Sequence, residues 1–291
     1  MNKIIRKKLG YFITQLIEEH NGTRAHLNTS RRARKGLKKL LVNRENHRLL
    51  RPLQEFSSLF SFKPQSLTWW VAILFMIGSA CFVAGSAVSL YFEHSFSSLA
   101  INMTFFIGSL FFTAAAYGQY LEVINADITN EAYLAAGKTE WIWWAWRSKN
   151  LGFIASASQL AGTFLFNINT FNCFYEGLSY VAIDIVIWLP NLIGSVLFLV
   201  AAFFAWLEIF HDKQVKAFYS VTWWIIWINL LGSILFQRSA FRSFVHLDSG
   251  ELVNGVIALN ATLYGAVCFF IGAYLLIIEM KEPDRDGADS T

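Results

Sequence analysis

The chain has 291 residues, of which 55% are hydrophobic, 16% aromatic and 15% charged, and its formal net charge is +4. Soluble domains carry about 25% charged residues, and the apolar residues here form long blocks, so the composition excludes an ordinary soluble globular protein. The three cysteines, Cys81, Cys173 and Cys268, lie in apolar runs without Cys-x-x-Cys spacing, and we expect them to be packing residues instead of disulfide or metal-site residues.

The first 63 residues form an extended polar segment that holds 15 of the 24 lysines and arginines. Apolar residues recur in its first part at helical spacing, namely Ile5, Leu9, Phe12, Ile13, Leu16 and Ile17. This pattern predicts an amphipathic basic helix that lies on a membrane surface. We therefore expect residues 1–63 to form a basic, helical arm on the cytoplasmic side.

A second basic stretch follows between residues 31 and 42 of this arm. Six of its side chains are expected to contact anionic lipid head groups, namely Arg31, Arg32, Arg34, Lys35, Lys38 and Lys39. The alternative is that their charge only sets the membrane topology. Nucleic acid is not an expected partner, because the arm carries no recognition motif or aromatic platform.

Six runs of at least 21 residues contain no Asp, Glu, Lys or Arg. They cover residues 64–92, 95–121, 150–175, 185–207, 217–237 and 252–278. Each run is long enough to cross a bilayer as a helix, and none shows the alternation of a membrane β-barrel strand. The predicted fold class is an all-α membrane protein with six transmembrane helices.

A short motif recurs in these runs and indicates three tandem helical hairpins. The first helix of each predicted hairpin contains Gly-[Ser/Thr]-x-x-Phe, beginning at Gly78, Gly162 and Gly232. The second helix contains a glycine that is followed fourteen residues later by a glutamate, in the pairs Gly108 and Glu122, Gly194 and Glu208, Gly265 and Glu279. The predicted units run over residues 64–126, 140–212 and 217–280, with a polar tail at 281–291.

The basic residues outside the membrane predict the topology. The arm, the two connections between hairpins and the tail hold 22 lysines and arginines, whereas the opposite side holds Arg238 and Arg242. Both termini should therefore be cytoplasmic, and the three hairpins should share one orientation, as parallel repeats do.

The glutamates Glu122, Glu208 and Glu279 then lie at one depth, near the cytoplasmic ends of three parallel helices. A helix C-terminus disfavours an anion, so a ring of three carboxylates needs cations nearby. We expect the basic arm to fold back and pair with at least two of them. The alternative is that each is a solvated helix end.

Polar side chains inside the predicted spans suggest a second candidate site. Its members are Asp184, Gln159, Asn229 and Asn191, of which Asp184 interrupts an otherwise apolar helix. One interpretation is a polar pocket for an ion or small solute that faces outward near Asp184. The other is interhelical hydrogen bonding, worth about 0.6 kcal/mol per bond. We favour this second interpretation for the amide side chains.

Residues 68–125 resemble the YrhK-like membrane domain, a two-helix module with Gly-Ser-x-x-Phe in each helix, through Trp69-Trp70, Gly78-Ser79 and Gly108-Ser109. The resemblance implies a bacterial inner-membrane protein and brings no catalytic residues. Because no catalytic motif is visible either, we expect no catalytic site, metal or cofactor. The hypothesis is a non-enzymatic scaffold or lipid-interacting protein, with a small-solute or ion transporter or channel as the alternative.

Overall fold

Six long helices make up the helical bundle of the computed structural model. The structure describes residues 3–9, 12–19, 24–29, 31, 35, 40–43, 62–92, 95–126, 140–210, 220–246 and 252–280. The helices are α1 (Leu67–Tyr91), α2 (Ser98–Ile124), α3 (Leu151–Asn172), α4 (Tyr180–Phe210), α5 (Val221–Arg242) and α6 (Gly255–Glu279). Within these ranges five helices, α1 to α4 and α6, are long and apolar enough to cross a membrane. Helix α5 is equally long, but Asn229, Gln237 and Arg238 lower its hydropathy.

Side-chain caps fix where the helices begin. A serine or asparagine precedes each of α2 to α6 and accepts a hydrogen bond from a backbone N–H in the first turn. These caps are Ser97, Asn150, Ser179, Ser220 and Asn254. Each cap satisfies one of the N–H groups that the first turn leaves without a helical partner.

The helices pack in a closed ring. Each contacts the next in chain order, and α6 contacts α1. In the pairs α1–α2, α3–α4 and α5–α6 the two motif glycines allow the backbones to approach closely. A Cβ atom on Gly78 would lie 2.9 Å from the Gly108 carbonyl oxygen, and one on Gly162 would lie 3.0 Å from that of Gly194. Small residues let membrane helices approach this closely.

The motif phenylalanines fill the middle of the ring. All six are only 3% to 6% exposed: Phe82, Phe112, Phe166, Phe198, Phe236 and Phe269. Their rings contact one another across the bundle, with centroids 5.1 Å apart for Phe236 and Phe269 and 5.8 Å apart for Phe166 and Phe236. We call this set the phenylalanine layer. It closes the bundle axis with a packed aromatic core.

Helix α4 contains a π-helical turn over Asp184–Trp188, just before Pro190. Proline has no N–H and displaces the carbonyl four residues earlier, which here belongs to Val186. That carbonyl accepts a hydrogen bond from Asn172 Nδ2 at 2.6 Å, and the Ile187 carbonyl accepts one from Asn169 Nδ2 at 2.8 Å. Amides of α3 therefore satisfy the backbone that the distortion exposes.

The arm contains strands, so the predicted basic helix is wrong. Strands β1 (Lys3–Leu9), β2 (Phe12–Glu19), β3 (Arg24–Thr29) and β4 (Leu40–Asn43) form an antiparallel sheet in chain order. Leu9 pairs with Phe12, which leaves two residues for the first hairpin connection. Apolar residues four positions apart, such as Phe12 and Leu16, share a face in a helix and also in a strand, so this spacing does not distinguish the two. The Asn21-Gly22 pair between β2 and β3 is the sequence signal for a hairpin that the helical interpretation missed.

Candidate functional site

The three sequence-predicted glutamates lie at the end of the bundle where α1 begins, called here the arm end. Glu122, Glu208 and Glu279 are 7%, 2% and 6% exposed, so none is a solvated helix end. Threonines at the start of α1 and of α5 each bind the glutamate of an adjacent helix. Thr68 donates to Glu122, and Thr222 donates to Glu279 Oε1 at 2.6 Å.

Two basic side chains of the arm enter this end of the bundle. Arg31 is 7% exposed and binds Glu279 at two points, with Nε 3.2 Å from Oε1 and Nη2 2.9 Å from Oε2. Lys35 Nζ lies 3.1 Å from the same Oε2. The Lys35 backbone N–H donates to the Arg31 carbonyl at 3.2 Å, the spacing of a helical turn. Both residues belong to the connection between β3 and β4.

The carboxylates hold the buried guanidinium in its charged form. Desolvation acts to lower the pKa of Arg31, but the attraction of Glu279, with smaller contributions from Glu208 and Glu122, raises it above its ordinary value. Arginine is the side chain best suited to such a position, because its planar fork matches a carboxylate at two points. The arm therefore delivers a permanent positive charge to the arm end of the bundle.

These contacts change two expectations about the arm. The ion pairs of the fold-back that the structure describes join Arg31 and Lys35 to Glu279, and the charges of Glu208 and Glu122 also favour the charged form of Arg31. The prediction that Arg31 and Lys35 contact lipid head groups is wrong, because both side chains are buried among helices. The other four members of that set, Arg32, Arg34, Lys38 and Lys39, lie outside the described residues.

A cavity of about 100 Å³ lies between the arm residues and the phenylalanine layer. Arg31, Lys35 and Glu122 line its mouth, and Phe198 and Phe269 belong to its floor. Its walls also carry polar side chains from α3 and α5, namely Ser156, Gln159, Asn229 and Ser233. The structure therefore combines a charged mouth with a polar interior and an aromatic base.

The predicted polar set does not form one site. Gln159 and Asn229 line the cavity near the arm end, whereas Asp184 and Asn191 lie at the opposite end, against the connection between α5 and α6. Asp184 Oδ1 accepts from the Val245 backbone N–H at 3.1 Å. The interpretation of four residues in one pocket fails because Asp184 and Asn191 come from the opposite end of α4 to the one that lines the cavity.

Hydrogen bonds between elements account for the polar residues at this far end. Asn191 Nδ2 donates to Ser243 Oγ at 3.2 Å, and Trp188 Nε1 donates to the Ala240 carbonyl at 2.8 Å. Together with Asp184 they tie α4 to the end of α5 and its following connection. This agrees with the interhelical alternative for Asn191, and it extends that role to Asp184.

Sequence reasoning missed the two threonines of the carboxylate site. Both stand in the same short motif, Thr-Trp-Trp, and both precede a motif glycine by ten residues, as Thr68 precedes Gly78 and Thr222 precedes Gly232. The equivalent position before Gly162 is Gly152, which lines the cavity. The repeated Thr-Trp-Trp motif, at the same distance before two motif glycines, was the available signal.

Across the described ranges, no three His, Cys, Asp or Glu side chains are grouped closely enough to hold a metal ion.

Comparison with protein-family models, curated proteins and solved structures finds no significant match to the chain. The YrhK-like resemblance therefore remains an expectation from sequence.

Proposed function

We propose that this chain is a non-enzymatic membrane scaffold that holds its own basic arm at the cytoplasmic face of a membrane. The observation that carries this proposal is the buried contact of Arg31 and Lys35 with Glu279, which joins the arm to the last helix across about 250 residues of chain. A protein built to keep an extramembrane segment docked needs such a contact, because an exposed ion pair contributes little.

The packed centre of the bundle supports a scaffold function instead of a pore. The phenylalanine layer blocks the axis with rings that contact one another, as Phe82 of α1 contacts Phe112 of α2 and Phe236 of α5. Ions crossing along this axis would need a polar or hydrated path. Six buried phenylalanines instead stabilise the association of all six helices.

The finer architecture belongs to the same proposal. We take α1–α2, α3–α4 and α5–α6 as three tandem hairpins, supported by the repeated motif and the glycine contacts in each pair. The strong bias of basic residues supports cytoplasmic termini and, with the YrhK-like resemblance, an inner membrane of bacterial type. The arm's remaining basic residues would then contact anionic lipid.

A small-solute or ion transporter is the second candidate, and the polar cavity favours it. Asn229 and Gln159 face a space closed by Arg31 on one side and by phenylalanines on the other. A transporter that works by alternating access passes through a state in which its binding site is closed at both ends. Transport would need the phenylalanine layer to open.

Flux into proteoliposomes separates the two functions. For a scaffold we expect no saturable uptake of small inorganic or organic cations above that of protein-free vesicles. Uptake that Asn229→Leu abolishes, while Asp184→Asn at the far end leaves it unchanged, would reject the scaffold in favour of a transporter. The paired variants matter because Asn229 lines the cavity and Asp184 does not.

A further inference from the structure

The cavity below the arm is large enough for a small ligand. Its volume is about 100 Å³, whereas a cavity needs only about 10–15 Å³ of such space to hold one water. It therefore has room for several waters or for one small organic ion. Because the phenylalanine layer forms its floor, a ligand would enter and leave past Arg31 and Lys35.

Three polar side chains of the cavity wall keep hydrogen-bond acceptors for a ligand. Ser156 Oγ donates to the Phe153 carbonyl at 3.2 Å, and Ser233 Oγ donates to the Asn229 carbonyl at 2.9 Å. Asn229 Nδ2 donates to the Ile225 carbonyl at 2.8 Å. Each hydroxyl has thus used its hydrogen on its own helix and keeps lone pairs, and Asn229 keeps its Oδ1. Such walls match a ligand that brings N–H groups.

Beside the mouth, Glu279 already binds N–H groups of this kind, which the chain itself supplies. The Arg31 guanidinium makes two N–H···O contacts with Glu279, and the Lys35 ammonium makes a third. A free guanidinium or primary ammonium ion presents the same donors. The acceptor walls and the occupied mouth are independent observations, because they involve different residues and different kinds of contact.

We propose that this cavity is a binding site for a small organic cation with several N–H donors, and that Arg31 and Lys35 are a tethered plug which such a cation displaces. The phenyl faces of Phe75, Phe198 and Phe269, all cavity-lining, would add cation–π attraction. This proposal goes beyond the scaffold function, because a docked arm needs no cavity beneath it.

The plug can leave without opening the bundle. Arg31 and Lys35 are carried by the β3–β4 connection, which belongs to the arm and not to the six-helix bundle. Displacing them breaks the contacts with Glu279, whereas the phenylalanine layer and the glycine contacts are made by the helices alone. Occupancy of the cavity would therefore be reported outside the membrane by release of the arm.

Chemical rescue tests the site with guanidinium ion as the probe. The double variant Arg31→Ala, Lys35→Ala removes the plug, and millimolar guanidinium should then raise its Tm in a saturable way, by about 2–4 °C at tenfold the dissociation constant. Urea has the same shape without the charge, and sodium chloride matches the ionic strength; neither should raise the Tm. The matched variant Arg238→Ala, Arg242→Ala loses two arginines at the far end and should show no rescue.

A second measurement uses the unaltered protein, in case the double variant does not fold. Guanidinium should compete with Arg31 and speed tryptic cleavage of the arm, whereas urea at equal concentration should not. Saturable acceleration by guanidinium alone supports the site and its plug. Equal effects of guanidinium and urea, or no effect of either, would overturn the proposal.

Discussion

Replacing Glu279 by glutamine isolates the charge of the carboxylate that holds the arm. Glutamine has nearly the same shape, and its Oε1 can still accept the hydrogen bond from Thr222. Arg31 and Lys35, however, lose their described ion-pair partner. Removing one partner of a buried ion pair costs about 3–5 kcal/mol, because the remaining charge is left without compensation.

This free-energy cost should weaken the docking of the arm more than it weakens the helical bundle. Because Arg31 lies in the arm, it can return to water when the arm undocks, and the helices need not unfold with it. We therefore expect Glu279→Gln to release the arm at nearly unchanged bundle stability. The arm should become a substrate for trypsin while the helical circular dichroism signal keeps most of its thermal midpoint.

A double-mutant cycle supplies the magnitude. Arg31→Ala, Glu279→Gln and the combined variant should give a coupling of about 2–4 kcal/mol in the docking free energy, measured by the rate of arm cleavage. Glu122→Gln is the matched control, since Glu122 is bound by the Thr68 hydroxyl and should change docking by only about 1 kcal/mol. A coupling near zero, or an equal effect of Glu122→Gln, would refute the assignment of Glu279 as the docking residue.

Three further predictions concern the bundle and its topology. Phe236→Ala should destabilise the helices by about 3–5 kcal/mol in detergent unfolding, whereas Phe241→Ala, at a 61% exposed position, should cost far less; similar losses would contradict a packed central layer. Gly78→Ala should cost about 1–3 kcal/mol in the same assay, because its Cβ would meet a backbone oxygen at 2.9 Å; an unchanged midpoint would mean that the helices can separate freely. Single cysteines in a cysteine-free background should be labelled from outside at His246 and from inside at Lys213; the reverse pattern would invert the topology.

The helices were the part of the fold that the sequence determined most directly. Apolar length is a local property, so the uncharged run at 64–92 predicted α1 (Leu67–Tyr91) and that at 252–278 predicted α6 (Gly255–Glu279) within three residues at either end. The recurring Gly-[Ser/Thr]-x-x-Phe motif also identified inward-facing positions, since glycine and phenylalanine four residues apart share a helix face.

The arm and the site were harder to predict because they depend on contacts between distant residues. In β2 the spacing of Phe12, Ile13, Leu16 and Ile17 suits a helix as well as a strand, and pairing with β1 and β3 decides the outcome. The burial of Arg31 depends on Glu279, 248 residues away. No local pattern distinguishes a lysine or arginine that contacts lipid from one that enters the bundle.

The three carboxylates have equal spacing in sequence but unequal surroundings, and Arg31 binds at Glu279. Thr68 already donates to Glu122, and Gly152 replaces the threonine in the second hairpin, where it lines the cavity. Thr222 donates to Glu279 Oε1, and Oε2 accepts from both Arg31 and Lys35. A threefold-symmetric site would offer one guanidinium three equal positions. The bridging by Oε2 instead fixes Arg31 and Lys35 at Glu279, so this part of the arm docks with a defined orientation.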